Sequence, residues 1–225
     1  AMSARSRFRQ HLPPFLFLLS LAVLILSVAR PAAVVTLPTQ QQTIILAMDV
    51  SGSMQGDKIE AAKEGTAQFV QGLHRDDGIA VYTFSDSVEH VQELGRVGDV
   101  GETVVSRVRS IAALGDTALH DAVCELVNVV QQQQQHDREA GENRLYGIVL
   151  LSDGMNSRGS RNEAQMFACL PASEDASGIK IFTIAYGGDA DAELLEKLSE
   201  ATNGQAYSSD PEHIEEVYEA IAFEQ

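Results

Sequence analysis

The chain has 225 residues, 44% of them hydrophobic and 21% charged, and a formal net charge of −16. That is enough for one α/β domain with a sizeable core, and two cysteines exclude a disulfide framework. The charge is uneven: residues 1–30 hold Arg5, Arg7, Arg9 and Arg30 and no acid, so the rest carries 12 basic and 32 acidic residues, a net −20 that repels nucleic acid phosphates and attracts cations.

Phe15 to Ala29 is uncharged and strongly apolar, Arg30-Pro31 interrupts it, and Ala32 to Val35 resumes. Counted from Leu12 to Val35, the run is long enough for a bilayer core of about 30 Å if Arg30 reaches the interface. Residues 1–35 are therefore expected to be a membrane anchor. The competing reading is a cleaved signal segment, with Ser27 and Ala29 as the small residues before the cut, which would give a secreted protein. In either case the leading arginines hold the N-terminus in the cytoplasm. The expected location is then the cell membrane, single pass, with the acidic domain on the extracytoplasmic side. Residues 36–42 read as a polar linker and residues 43–225 as the domain.

From there strand and helix patterns alternate, which argues for a mostly parallel sheet covered on both faces. Strands are expected at Thr43–Asp49, Ile79–Phe84, Val88–Glu93, Tyr146–Ser152, Ile179–Ala185 and Gln205–Ser208. Val88–Glu93 follows its neighbour over the short turn Ser85-Asp86-Ser87 and should form a hairpin, giving one antiparallel edge strand. Helices are expected at Lys58–Leu73, Val100–Ile111, Leu119–Gln135, Arg161–Leu170, Ala190–Ala201 and Pro211–Phe223. In the first, Ile59, Ala62, Thr66, Phe69, Val70 and Leu73 form one stripe with a period of 3.6 residues. The glutamine run Gln131–Gln135 reads as a solvated helix end entering a loop. The fold class is α/β: a doubly wound, mostly parallel six-stranded sheet with one antiparallel edge strand and helices on both faces.

Three segments carry the chemistry. The first expected strand breaks into Asp49-Val50-Ser51-Gly52-Ser53, a carboxylate and two hydroxyls spaced two apart. Thr117 opens a helix in Leu114-Gly115-Asp116-Thr117. Asp153 follows an apolar strand in Ser152-Asp153-Gly154. In open parallel sheets the crevice lies beyond the carboxyl ends of the strands. Asp49, Ser51, Ser53, Thr117 and Asp153 can meet there as five hard oxygen donors, which suits Mg²⁺, with Mn²⁺ or Ca²⁺ as alternatives. Without a cation the two carboxylates would repel and one would rise in pKa. Ser51 and Ser53 taken alone could instead be loop caps whose hydroxyls satisfy helix amides. Asp121 is either a residue hydrogen-bonded to a ligand or its water, or a first-turn acid favoured by the helix dipole. Asp86 reads as turn chemistry.

This D-x-S-x-S … T … D pattern resembles the von Willebrand factor type A domain and its metal-ion-dependent adhesion site, over about residues 41–223. The resemblance implies a Rossmann-like fold, and a protein-binding module in which a ligand carboxylate takes an open position on the ion. It also implies that binding can couple to movement of the last helix. Asp116 departs from the glycine common in relatives and adds a negative charge beside Thr117. The N-terminal segment resembles the first membrane segment of bacterial aerotolerance-type membrane proteins. Those relatives carry a second membrane helix after the domain, and this leaves open whether the chain, with Ala1 ahead of Met2, is truncated.

Enzymes are disfavoured. The chain has no G-x-S-x-G elbow, H-E-x-x-H, P-loop or G-x-G-x-x-G. A metal-dependent phosphohydrolase is a rival reading, but such enzymes place a second acid two residues after the strand-end aspartate, where this chain has Ser51. A regulatory partner of an AAA+ ATPase is a third. Cys124 lies in the apolar pattern of a helix and reads as a buried free thiol; a bond to Cys169 is the alternative.

Overall fold

The computed structural model describes residues 12–21, 41–142, 144–171, 178–188, 190–210, 213–214, 216–218 and 221. The chain divides into two units, Ala1–Thr39 and Gln40–Gln225. In the first, residues 12–21 are helical. No helix among the described residues is long and apolar enough to cross a membrane. This corrects the expected single-pass anchor and the cell-membrane location drawn from it. At about 1.5 Å per residue, a helix over residues 12–21 reaches about half the thickness of a ~30 Å hydrocarbon core. The remainder of the expected span, residues 22–35, lies outside the described residues.

The second unit is built on β1 (Gln42–Asp49), α1 (Asp57–Gly72), β2 (Gly78–Phe84), β3 (Val88–Arg96), α2 (Val97–Arg109), α3 (Leu119–Glu139), β4 (Leu145–Ser152), α4 (Glu163–Ala168), β5 (Lys180–Tyr186), α5 (Ala192–Glu200) and β6 (Ala206–Ser209). The six strands form one sheet in the order β3-β2-β1-β4-β5-β6. Every pairing is parallel except β2 with β3. The single antiparallel edge follows from the short turn after Phe84, which has no room for a crossover helix.

β1, β2, β4 and β5 are buried almost throughout, because helices cover both faces of the sheet. Alternation assigns their side chains to two cores. Ile44, Leu46 and Met48 pack with Ile59 and Phe69 of α1, Val104 and Val108 of α2, and Ile214, Tyr218 and Ile221. Ile45 and Ala47 face Leu119, Val123, Leu126 and Val130 of α3, Met166 of α4 and Leu195 of α5. Of the helix expected over Pro211–Phe223, much lies outside the described residues.

Two expectations change. The glutamine run does not leave the helix: α3 continues to Glu139, and Gln133 Nε2 donates to Asp137 Oδ1 one turn on (2.7 Å). Such i,i+4 pairs support the helix, here on a side where Asp137 is buried. Cys124 is not a free thiol but is bonded to Cys169. α3 lays Cys124 beside the end of α4, a proximity the helical pattern around Cys124 did not reveal.

Candidate metal centre

The sheet order places the site. The chain runs outward from β1 to β2 and β3, then returns to β4 on the other side of β1. The strand order reverses between β1 and β4, the position where parallel sheets open a crevice. Asp49 ends β1 and Ser152 ends β4.

Asp49 is fully buried and Ser51 nearly so. The Ser51 amide donates to Asp49 Oδ1 (2.9 Å) and Ser152 Oγ donates to Asp49 Oδ2 (2.7 Å), so one carboxylate oxygen is held within the loop after β1 and the other across the β1–β4 junction. After Asp49 the chain enters a 3-10 turn, Gly52–Met54. The Ser51 hydroxyl does not cap that turn. It lies 3.0 Å from the Ser53 hydroxyl, which is exposed, so the simple loop-cap reading does not hold for Ser51.

Thr117 lies buried in the segment before α3. That segment is laced to the Asp49 loop by Leu114 N to Val50 O (2.7 Å) and Gly52 N to Gly115 O (2.9 Å). It is tied to the loop after β4 as well: Ser157 N and Arg158 N both donate to Thr117 O (3.0 Å), and Thr117 N donates to Ser157 Oγ (2.9 Å). Gly115 adopts φ +92°, and a Cβ there would sit 2.9 Å from Asp86 Oδ2. Glycine alone permits that close left-handed turn.

Asp153 is fully buried. Its Oδ1 accepts from Met155 N (3.1 Å), whereas Oδ2 has no hydrogen-bond partner. Gly154, at φ +73°, lets the chain pass under the β5–α5 loop, where a Cβ would meet Asp191 O at 2.8 Å. The Asp191 amide donates to Asp153 O (2.7 Å) and fixes the residue from that side.

Burial raises the Asp49 carboxyl above its ordinary range. Hydrogen bonds from Ser51 and Ser152 only partly offset this, and the charge of Asp153 adds to the rise. Two buried carboxylates, one of them with an oxygen left unbonded, form a site short of positive charge. Three hydroxyls stand on the same or adjoining loops. This donor set fits a hard divalent cation. No group of three or more His, Cys, Asp or Glu side chains able to hold a metal occurs among the described residues. A site here draws on hydroxyls for the rest of its donors.

Asp121 has other partners. Its carboxylate accepts from Ser160 N (2.6 Å), Ser160 Oγ (3.1 Å) and Arg161 Nη1 (2.7 Å). Burial acts to raise this carboxyl, but those donors and the Arg161 charge outweigh it and hold it below the ordinary range. Asp121 thus ties the first turn of α3 to the loop ahead of α4. Sequence reasoning missed Ser152, Ser157 and Arg158. The Arg158 guanidinium bonds Asp86 (3.2 Å) and Asp116 (3.4 Å), while Asp116 N donates to Asp86 Oδ1 (3.1 Å). Asp86 is therefore more than turn chemistry, and Asp116 shares the Arg158 cation with it. The loop between β4 and α4 carries two cations, Arg158 and Arg161, and nothing local tells which of them pairs with Asp86 and Asp116.

Comparison with known proteins bears on the fold and the family. The family profile of the von Willebrand factor type A domain matches residues 43–220. Inter-alpha-trypsin inhibitor heavy chain H6 of Homo sapiens is 27% identical over 176 residues, covering 76% of this chain and 13% of that protein. This chain therefore spans only a small part of that relative's length. Among solved structures, a von Willebrand factor type A protein from Catenulispora acidiphila superposes with a TM-score of 0.69 at 19% identity, covering 81% of this chain and 42% of that one. An aerotolerance-related membrane protein from Bacteroides fragilis gives a TM-score of 0.63 at 17% identity, covering 81% and 98%. At these identities the structural likeness speaks to fold alone. With the sheet order, the strand-end loops and the profile match in agreement, the chain belongs to the von Willebrand factor type A domain family.

Proposed function

We propose that this domain is a binding module, not an enzyme, that engages a protein partner through a divalent cation. Asp49, Ser51, Ser53, Thr117 and Asp153 would hold the ion, with Mg²⁺ the first candidate and Mn²⁺ or Ca²⁺ as alternatives. The observation that carries the reading is the buried Asp153 Oδ2 without a hydrogen-bond partner, next to a buried Asp49 whose carboxyl is raised by burial. A cation supplies what that pair lacks. When bound, it offers an electrophilic position to an incoming carboxylate, because only two of its five protein donors are charged. The protein's own part is positional: Ser152 and the Ser51 amide orient Asp49, the Met155 amide orients Asp153, and Ser157 fixes Thr117.

Domains of this family generally bind proteins. Ser51 in place of a second strand-end acid supports binding over phosphoester chemistry. The test is a pull-down from the source cell extract with the full chain as bait, in Mg²⁺ and in chelator. A partner retained in Mg²⁺ and released by chelator is expected. A partner retained equally in both would overturn the metal-bridged reading, and turnover of a phosphate ester by the chain would overturn the assignment as a non-enzyme.

A further inference from the structure

Among the described residues of Gln40–Gln225, four large hydrophobic side chains are exposed: Leu94, Leu114, Leu145 and Met155. Leu145 starts β4, at the end of the sheet away from the site, and Leu94 lies on the edge strand β3. The two most exposed are Leu114, at 68%, and Met155, at 54%. Both lie in the loops that build the candidate metal centre. Leu114 N donates to Val50 O, three residues ahead of Thr117. Met155 N donates to Asp153 Oδ1. Thr117 O joins the two loops by accepting from Ser157 N and Arg158 N.

A scattered exposed leucine needs no explanation. Here the two side chains sit on loops whose backbones are held by hydrogen bonds at the same site. The backbone that carries each of them is thus fixed beside the site. The nearby charges are organised too: Arg158 is held between Asp86 and Asp116.

We infer that Leu114 and Met155 form an apolar rim to the metal centre, and that its occupant is a protein segment in which a carboxylate stands beside a large apolar side chain on an otherwise basic background. This rests on the metal-bridged reading. The carboxylate answers the cation, the apolar neighbour covers Leu114 and Met155, and the basic background answers the net −20 of residues 31–225. A purely acidic segment would be repelled everywhere except at the ion.

The test uses the full chain as bait for a random peptide display library, with loading in Mg²⁺ and elution with chelator. Chelator-eluted peptides should carry Asp or Glu with Leu, Phe, Ile or Met within two positions, and an excess of Lys and Arg. Leu114→Ser and Met155→Ser should each weaken a selected synthetic peptide about tenfold or more. Circular dichroism and the melting shift in Mg²⁺ should match wild type, because neither side chain is buried. Selected peptides with a carboxylate but no apolar enrichment, or variants that bind as wild type does, would overturn the rim and leave the metal-bridged reading standing. Recovery of no chelator-eluted peptide would also overturn the rim. In that case the Mg²⁺ melting shift separates a loss of the rim alone from a loss of the metal reading itself.

Discussion

At the residue scale, Asp49 carries opposed demands. It is a buried carboxylate raised by burial, yet its oxygens hold Ser51 and Ser152 in place. Truncation to alanine would strip those bonds along with the charge. Asp49→Asn keeps the shape and an acceptor while removing the charge. Without metal, Asp49→Asn should be as stable as wild type at neutral pH or more so, and it should lose the stabilisation by Mg²⁺. Thermal melts in chelator and in Mg²⁺ read both. Asp137, at the far end of α3, is the contrasting case. Burial acts to raise its carboxyl, but donation from Tyr146 Oη (2.6 Å), Gln133 and His136, with the Arg144 charge, holds it below the ordinary value of 3.8. For a carboxylate lowered on folding, the stabilisation is complete above the unfolded value. It is lost as pH falls through the folded one. Asp137→Asn should flatten that acid limb in urea unfolding and cost about 1–3 kcal/mol at neutral pH, since Tyr146 then loses a charged acceptor.

At the scale of elements, the strands were the most legible part of the sequence. β1, β4 and β5 are buried on both faces, so each had to be a continuous apolar run, and each was readable within one or two residues. Helix ends were harder. α3 outruns the expected Gln135 because Gln133 and Asp137 support each other along a face the apolar pattern does not see. Asp49, Ser51, Ser53 and Asp153 stood out because oxygens that follow apolar strands are conspicuous, whereas Thr117, in the segment before α3, was singled out by the D-x-S-x-S … T … D pattern. The ties that hold them, from Ser152, Ser157 and Arg158, depend on loops meeting in three dimensions and leave no local trace. The Cys124–Cys169 bond stood only as the alternative to a free thiol for the same reason. It closes a loop across a sequence separation of 45 residues and joins α3 to the end of α4. Reduction by a dithiol should lower stability by about 2–4 kcal/mol and the melting temperature by several degrees. Melting curves unchanged by reductant would show that the crosslink constrains neither state.

At the scale of the whole molecule, the winding of the sheet positions the candidate site. The reversal of strand order between β1 and β4 brings Asp49 and Asp153 together, and helices on both faces remove water from their flanks. The cost of holding two carboxylates there falls on the metal-free fold, and a bound cation would offset it. A ligand that binds the folded state alone stabilises it by mass action, about 2.7 kcal/mol at a hundred times its dissociation constant. The most direct test is the melting temperature of the full chain at neutral pH, in millimolar Mg²⁺ and in chelator. A rise of several degrees in Mg²⁺ that Asp49→Asn abolishes is expected. Identical melts of the wild-type chain in Mg²⁺ and in chelator would rule out a cation held by Asp49 and Asp153.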